Sequence, residues 1–196
     1  MKSVIGVTGG IASGKSNVCN IIENMGYQVI DCDKISYNLA KKNGPIYKVI
    51  LERFGKEYLL DNDEIDRKKL GKLIFNNATA KKLLDEITHP IILEEVKRKI
   101  EASEDEYIFL EAPLLYEAHL ENLCTKVICV FLSKKYQVER LIAREGIDED
   151  YALAKIHSQM DLYMKKSLAD FVIDTKGTFE ETKVQVENVI NEIKGV

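Results

Sequence analysis

The residues with the most explicit chemistry form a glycine-rich run near the N-terminus. The pattern G-x-x-x-x-G-K-[ST] is matched at every fixed position by Gly9, Gly10, Ile11, Ala12, Ser13, Gly14, Lys15 and Ser16. Glycines let backbone N–H groups turn towards phosphate oxygens, and a following helix adds partial positive charge. In such a phosphate-binding loop (P-loop), Lys15 reaches the β- and γ-phosphates and the Ser16 hydroxyl holds Mg²⁺. The run therefore predicts a nucleoside triphosphate site.

The flanking residues supply the context that this loop requires. Val4, Ile5 and Val7 have the composition of a short buried strand. Apolar residues then recur at helical spacing as far as Met25, and Gly26 is suited to end the helix. Strand, loop and helix in this order disfavour the alternative, a chance glycine turn before a helix.

Asp31 and Asp33 are candidates for acid–base chemistry because they come at and just after the end of the second predicted strand. A carboxylate beside the γ-phosphate can accept a proton from an attacking hydroxyl group and orient that group. The alternative for Asp33 is a helix N-cap, an ordinary role for aspartate. The residues alone leave both roles open for Asp33, and Asp31 is expected either to be structural or to support the site without touching the substrate.

Three cations further along the chain are weaker candidates. Arg140 and Arg144 are four residues apart and share one face of a predicted helix. Two guanidinium groups suit the charge that develops in phosphoryl transfer, and the alternative is a solvated charged helix. His89, before Pro90, is either a ligand contact or a structural residue at a bend. No histidine or cysteine cluster in the sequence has metal-ligand spacing, which disfavours a zinc site.

The wider sequence alternates strands and helices, as a parallel sheet covered on both faces requires. Strands are predicted at 4–7, 27–31, 107–110, 127–132 and 171–173. Helices are predicted at 34–42, through an insertion at 45–103 interrupted at Thr88-His89-Pro90, through a charged region at 133–166, and after a capping box at Thr178 and Glu181. Ligands of such sheets bind beyond the carboxyl ends of the strands.

Composition narrows the function classes. The chain has 196 residues, 45% of them hydrophobic and 31% charged, as expected of one ordinary globular domain. Its net charge of −4 argues against a general nucleic-acid binder. No apolar run is long enough to span a bilayer, and the N-terminus lacks a signal-peptide pattern. Four cysteines without C-x-x-C pairing predict reduced thiols in a cytoplasmic protein.

Taken together, the motifs resemble those of the dephospho-CoA kinase family over nearly the whole chain. The similar stretches, in the family's order, are 5–16, 29–35, 65–70, 88–91, 113–117, 140–144 and 169–173. The P-loop alone indicates only nucleotide binding. The T-H-P at 88–90 and the P-L-L-Y-E at 113–117 are much more specific.

The resemblance implies an α/β P-loop NTPase fold, with a five-stranded parallel sheet flanked by helices, a helical substrate-binding insertion and a helical lid. The core is expected at 1–44, 104–133 and 167–196, the insertion for the acyl-carrier half of dephospho-CoA at 45–103, and the lid at 134–166. The implied reaction is ATP-dependent, Mg²⁺-supported phosphorylation of the ribose 3′-hydroxyl of dephospho-CoA. The expected partners are these small molecules, without nucleic acid or membrane, and the protein is expected to be a monomer or small homo-oligomer.

The resemblance also implies roles for individual residues. The catalytic residues are Lys15, Asp33 and Arg140. The ATP-binding residues are Gly9, Gly10, Ile11, Ala12, Ser13, Gly14, Lys15, Ser16, Asn17, Arg140, Arg144 and Thr175. The substrate-binding residues are Asp33, His89, Pro113, Leu114, Leu115, Tyr116 and Glu117. The residue implied at the metal is Ser16.

Four residues depart from the family's pattern. Asn17 stands where threonine is usual, Lys155 where arginine is usual and Thr175 where asparagine is frequent, while Glu111 replaces an aliphatic residue or aspartate. Two other functions stay open. Another small-molecule P-loop kinase should lack the motifs at 88–90 and 113–117, and a nucleotide-dependent switch is disfavoured by the absence of an N-K-x-D guanine motif.

Overall fold

The computed structural model of this chain describes residues 2–195. Its strands are β1 (Ser3–Gly9), β2 (Gln28–Asp31), β3 (Tyr107–Glu111), β4 (Lys126–Phe131) and β5 (Phe171–Asp174). Its α-helices are α1 (Lys15–Asn24), α2 (Cys32–Leu39), α3 (Pro45–Phe54), α4 (Arg67–Asn76), α5 (Ala78–Ala102), α6 (Lys134–Glu145), α7 (Glu149–His157), α8 (Leu162–Leu168) and α9 (Phe179–Lys194). The capping box predicted at Thr178 and Glu181 is confirmed at the start of α9.

The strands form one five-stranded parallel sheet in the order β2-β3-β1-β4-β5, which confirms the predicted fold class. The central strand β1 pairs with β3 from Ser3 opposite Tyr107, and with β4 up to Gly9 opposite Val130. Each parallel connection needs a crossover, and the helices supply it. Since β1 is the central strand, the glycine-rich loop emerges between the carboxyl ends of two neighbouring strands.

The chain divides into two compact units. One combines the residues up to Ile30 with those from Glu104 onward, and the other is Asp31–Ser103. The first has its main core between the sheet, α1 and α9, where Ile5, Ile22 and Val186 are fully buried. The second therefore contains α2 in addition to the predicted insertion, and its core joins residues of α3, α4 and α5.

The long helix α5 runs unbroken through Pro90, so the predicted interruption at 88–90 is wrong. Proline removes one N–H from the helix ladder and disfavours a helix interior. Here α5 packs against α2, α3 and α4, and this tertiary packing outweighs the lost hydrogen bond. Thr88 is buried and donates its hydroxyl to the carbonyl of Leu84 within the same helix, at 2.8 Å.

Smaller differences concern the boundaries of the second strand and helix. β2 begins at Gln28, one residue after the predicted start, and α2 spans Cys32–Leu39 instead of 34–42. Within residues 2–195, no helix is long and apolar enough to cross a bilayer.

Candidate active site

The P-loop joins the end of β1 to the first turn of α1. Gly14 precedes the helix with φ at 89°, and Ala12 has φ at 58°, so both adopt the left-handed conformation. Glycine takes this conformation without strain, whereas alanine does so at a cost. Gly10 has no side chain where the amide nitrogen of Gln137 approaches, and a Cβ atom there would clash with it. The backbone is thereby held in a tight loop beside the helix N-terminus.

Side chains far away in sequence hold the peptide groups of this loop. The N–H of Ile11 donates to Oε1 of Gln159 at 3.1 Å, and Nε2 of Gln137 donates to the carbonyl of Ile11 at 2.7 Å. The hydroxyl of Thr175 donates to the carbonyl of Ser13 at 2.5 Å. Each bond fixes a backbone group that an isolated loop would leave to water. The loop is therefore organised before any ligand arrives.

Lys15 forms an ion pair with Glu111, the last residue of β3. Both side chains are only 11% exposed, so water screens the pair weakly. Glu111 lies opposite Val7 in the register of β1 and β3, which brings its carboxylate under the P-loop. The sequence analysis noted Glu111 as a departure from the family and did not include it among the predicted site residues. Its position at a strand end beside β1 was the signal for a site residue.

Arg140 and Thr175, which were both predicted to bind ATP, contact each other. Arg140 donates to the carbonyl of Thr175 at 2.6 Å and to its hydroxyl at 3.3 Å. Arg144 instead donates to Glu145 at 2.7 Å, and its side chain is 57% exposed. Hydrogen bonds from Lys155 and Arg144 lower the pKa of the Glu145 carboxyl. The two arginines of the predicted lid face therefore have different partners, and only Arg140 is tied to the loop after β5.

The segment after β3, Pro113–Glu117, divides into an exposed and a buried part. Leu114 is 38% exposed, while Leu115 is fully buried, with its side chain against the backbone of Gly6. The predicted substrate contact of Leu115 is therefore corrected to a packing role, because no ligand reaches a fully buried side chain. Burial raises the pKa of the Tyr116 phenol to about 12. Within residues 2–195 its hydroxyl has no hydrogen-bond partner.

Glu117 is held from two directions. Its Oε1 accepts a hydrogen bond from the N–H of Met160 at 2.9 Å and forms an ion pair with Nζ of Lys165 at 2.9 Å. Lys165 is completely buried and also donates to the carbonyl of Pro113. The sequence analysis missed Lys165, Gln137 and Gln159, because each lies in a stretch that reads as an ordinary polar helix. Their partners are remote in the chain and are not revealed by local periodicity.

In the unit Asp31–Ser103, the two candidate aspartates, Asp31 and Asp33, have different structural positions. Asp31 is the N-cap of α2, and its carboxylate accepts the N–H of Lys34 at 2.9 Å. Its predicted structural role is confirmed, and the helix-cap alternative for Asp33 is wrong. Asp33 is an exposed residue in the first helical turn. His89 lies on α5, with Nε2 at 3.7 Å from Oδ1 of Asp85, and its side chain is 27% exposed.

The oxygen donors near Lys15 have the chemistry that Mg²⁺ prefers. No cluster of three or more histidine, cysteine or acidic side chains in residues 2–195 has the arrangement of a metal site. Mg²⁺ needs no such cage, since it retains waters and binds one or two protein oxygens together with substrate phosphates. Ser16 is exposed in the first turn of α1, and the Glu111 carboxylate is adjacent to Lys15. The residues present therefore fit a magnesium–nucleotide complex.

Comparison with known proteins gives concordant results. The model of the dephospho-CoA kinase family matches residues 3–181. Dephospho-CoA kinases of Carboxydothermus hydrogenoformans and Enterococcus faecalis are 40% and 41% identical to this chain, over 97% and 98% of it and 94% and 98% of their own lengths.

Solved structures agree with these sequence matches. The dephospho-CoA kinase of Campylobacter jejuni superposes with a TM-score of 0.72 at 34% identity, covering 100% of this chain and 99% of that one. Shikimate kinase of Aquifex aeolicus, at 14% identity and a TM-score of 0.52, covers 98% of this chain and 96% of its own and shares the fold alone.

Proposed function

Because this chain belongs to the dephospho-CoA kinase family, we propose that it transfers the γ-phosphoryl group of ATP to the ribose 3′-hydroxyl of dephospho-CoA. The products are coenzyme A and ADP, and the reaction is the last step of coenzyme A biosynthesis. The observation that carries the ATP half of the proposal is the P-loop, with its left-handed Gly14, its bound peptide groups and Lys15 at the start of α1, while the family match carries the acceptor. Such a loop presents converging N–H groups to a triphosphate.

ATP binding is assigned to three parts of the compact unit that contains the sheet. Backbone N–H groups of the P-loop and of Asn17 surround the phosphates, and Lys15 contacts the β- and γ-phosphates. Arg140 stays in place through Thr175 and directs positive charge at the transferring group. Arg144 contributes after it releases Glu145. Phosphoryl transfer depends on positioning and on neutralising charge, and these groups supply both.

Lys15 changes partner when the nucleotide binds. In this structure its ammonium group is paired with Glu111. A triphosphate that enters the P-loop offers Lys15 a stronger set of anionic oxygens and frees the carboxylate. Ser16 and Glu111 are then the residues assigned to hold Mg²⁺, Glu111 directly or through water. When bound there, the ion would neutralise charge on the phosphate groups during transfer.

The acceptor side of the proposal rests on sequence position and on the family resemblance. Asp33, in the first turn of α2, accepts the proton of the 3′-hydroxyl on its carboxylate and orients that hydroxyl for attack. His89 on α5 and the exposed part of Pro113–Glu117 contact the pantetheine and nucleotide portions of dephospho-CoA. Helix positions are precise supports for such groups because their backbones are rigid.

The test is a panel of acceptors with ATP and Mg²⁺, in which products are identified by mass. Dephospho-CoA should gain one phosphoryl group at rates far above those of nucleosides, nucleoside monophosphates and shikimate. Lys15→Ala protein, prepared in the same way, controls for contaminating kinases. Faster phosphorylation of another acceptor would replace the assignment with a different small-molecule kinase, and slow ATP turnover without any acceptor would support a nucleotide switch.

A cytoplasmic location is part of the proposal. No cysteine in residues 2–195 forms a disulfide, and burial raises the pKa of the Cys129 thiol to about 11, so this thiol stays protonated and unreactive at neutral pH. Reduced buried thiols agree with a reducing compartment. Fractionation of cells, followed by immunodetection, tests the location.

A further inference from the structure

In the part of the chain that the structure describes, Lys165 is the one lysine or arginine with no exposed surface. It lies on α8, and lysine is almost never fully buried unless it is paired. Its Nζ is 2.9 Å from Oε1 of Glu117 and 2.5 Å from the carbonyl of Pro113. None of the roles in the proposed function involves the ammonium group of Lys165. Its contacts lie at the two ends of the segment Pro113–Glu117.

Glu117 extends this contact to the connection between α7 and α8. The oxygen that binds Lys165 also accepts the N–H of Met160 at 2.9 Å. The preceding residue, Gln159, accepts the N–H of Ile11 from the P-loop at 3.1 Å. Two adjacent residues of one connection therefore hold the segment after β3 and the P-loop. Hydrogen bonds to charged groups are stronger than neutral ones, so Lys165 and Glu117 dominate this arrangement.

We propose that Lys165 is a positioning residue. Through Glu117 and Pro113 it fixes the segment at 113–117 that contacts the acceptor, and through the connection between α7 and α8 it keeps this segment in a defined position relative to the P-loop. The inference rests on the proposed function, in which this segment contacts dephospho-CoA. Lys165 itself touches neither substrate, because its side chain is fully enclosed. A buried ion pair is a poor source of stability compared with apolar packing, but it fixes one geometry.

Two single variants and one double variant separate positioning from simple stability. Lys165→Met keeps the length of the side chain and leaves a carboxylate without its cation, so the melting temperature should fall. KM for dephospho-CoA should rise about 10- to 100-fold with little change in KM for ATP, because displacing the binding segment weakens its contacts with the acceptor. In the double variant Lys165→Met/Glu117→Met, the melting temperature should recover because no unpaired charge stays buried. The raised KM for dephospho-CoA should persist.

Glu117→Gln removes the charge that pairs with Lys165 and keeps an oxygen for the N–H of Met160. If the ion pair fixes the segment, KM for dephospho-CoA should rise by a similar factor in Glu117→Gln, in Lys165→Met and in the double variant, with no further loss when both residues are changed. A larger, additive loss in the double variant would assign Glu117 to the substrate itself and overturn the inference. Lys166→Met is the matched control, since Lys166 is exposed and its Nζ lies over the Phe131 ring at 4.3 Å. It should behave as wild type.

Kinetics are measured on the full chain below the melting temperature of every variant. The inference is overturned if Lys165→Met keeps the wild-type KM for dephospho-CoA, or if the double variant recovers KM together with its melting temperature. Wild-type protein in the same assay separates this result from the proposed function. Failure of the wild type to phosphorylate dephospho-CoA removes both, whereas normal wild-type turnover with unchanged Lys165→Met kinetics removes only the role of Lys165.

Discussion

Each of the two compact units of this chain is stabilised internally by a different kind of interaction. Around the P-loop, polar side chains bind backbone groups more than a hundred residues away, such as Gln159 with Ile11 and Thr175 with Ser13. In Asp31–Ser103 the polar contacts are mostly local, as with Asp31 and Lys34 or His89 and Asp85, and long-range cohesion comes from apolar packing of helices. The donor site is thus built from fixed hydrogen bonds, whereas the unit assigned to the acceptor is built from burial.

This difference indicates which substitutions each unit tolerates. Hydrogen bonds need particular atoms at particular distances, so one substitution can disturb the P-loop. Apolar packing tolerates swaps that conserve volume. Catalytic groups on the helical unit should therefore be separable from its stability by mutation, and the following predictions test this contrast.

The largest effect is expected from Asp33→Asn. It removes the proton acceptor from an exposed position in α2, and kcat should fall about 10²- to 10⁴-fold, the range for a positioned base. Phosphoryl transfer through a loose transition state would place the loss at the low end. ATP affinity should change little, because the P-loop provides the phosphate contacts. Single-turnover transfer at saturating ATP and dephospho-CoA measures this.

Asp31→Ala is the matched control for Asp33. It deletes the N-cap of α2 and should destabilise the protein by about 0.5–2 kcal/mol, with kcat nearly unchanged. If the single-turnover rate of Asp33→Asn stays within a few-fold of wild type, the proposed catalytic role of Asp33 is wrong.

Lys15→Ala should lower turnover by about 10²-fold or more, because the ammonium group acts on the transferring phosphoryl group. The fold should persist, since the side chain faces the ligand site and only Glu111 loses a partner. Circular dichroism and steady-state kinetics check both statements. A folded variant with near wild-type activity would contradict the assignment of the P-loop as the ATP site.

Arg140→Ala should reduce kcat more than it weakens ATP binding, since the guanidinium group is needed most when charge develops. Arg144→Ala should have a smaller effect, because Arg144 is bound to Glu145 and is largely exposed. Calorimetric ATP affinities beside kcat values decide the matter. If weaker ATP binding explains the entire loss in Arg140→Ala, its transition-state role is wrong.

The smallest effect is expected from His89→Ala, which should raise KM for dephospho-CoA by a few-fold and leave KM for ATP unchanged. Asp85→Asn removes the neighbouring charge on α5 and tests whether His89 acts only within the helix. Equal changes in both Michaelis constants, or the same kinetic change in both variants, would return His89 to a structural role.

The parts of the fold that sequence reasoning predicted are those governed by local rules. The five strands, the P-loop and the capping box of α9 follow from periodicity and from residues close together in the chain. Pro90 misled the prediction because its local preference was overridden by packing of α5 against three helices. Such packing is a property of the folded chain and is not visible in a window of sequence.

The candidate site shows the same limit. The residues of the P-loop could be predicted because the spacing of glycines, lysine and serine is itself the signal. Gln137, Gln159 and Lys165 were missed because their roles depend on distant partners. Leu115 was misassigned since an apolar residue after a strand looks alike whether it faces a ligand or the core.

The pairing of Lys15 with Glu111 also bears on how the P-loop meets small anions. The lysine charge is already balanced by a carboxylate, so an entering anion would gain only the difference between its own interaction and that of Glu111. Inorganic phosphate or sulfate would replace one anionic partner of Lys15 by another. A triphosphate would also occupy the N–H groups of the loop and the helix terminus. If the P-loop binds ATP as proposed, Glu111 therefore favours the triphosphate over abundant simple anions.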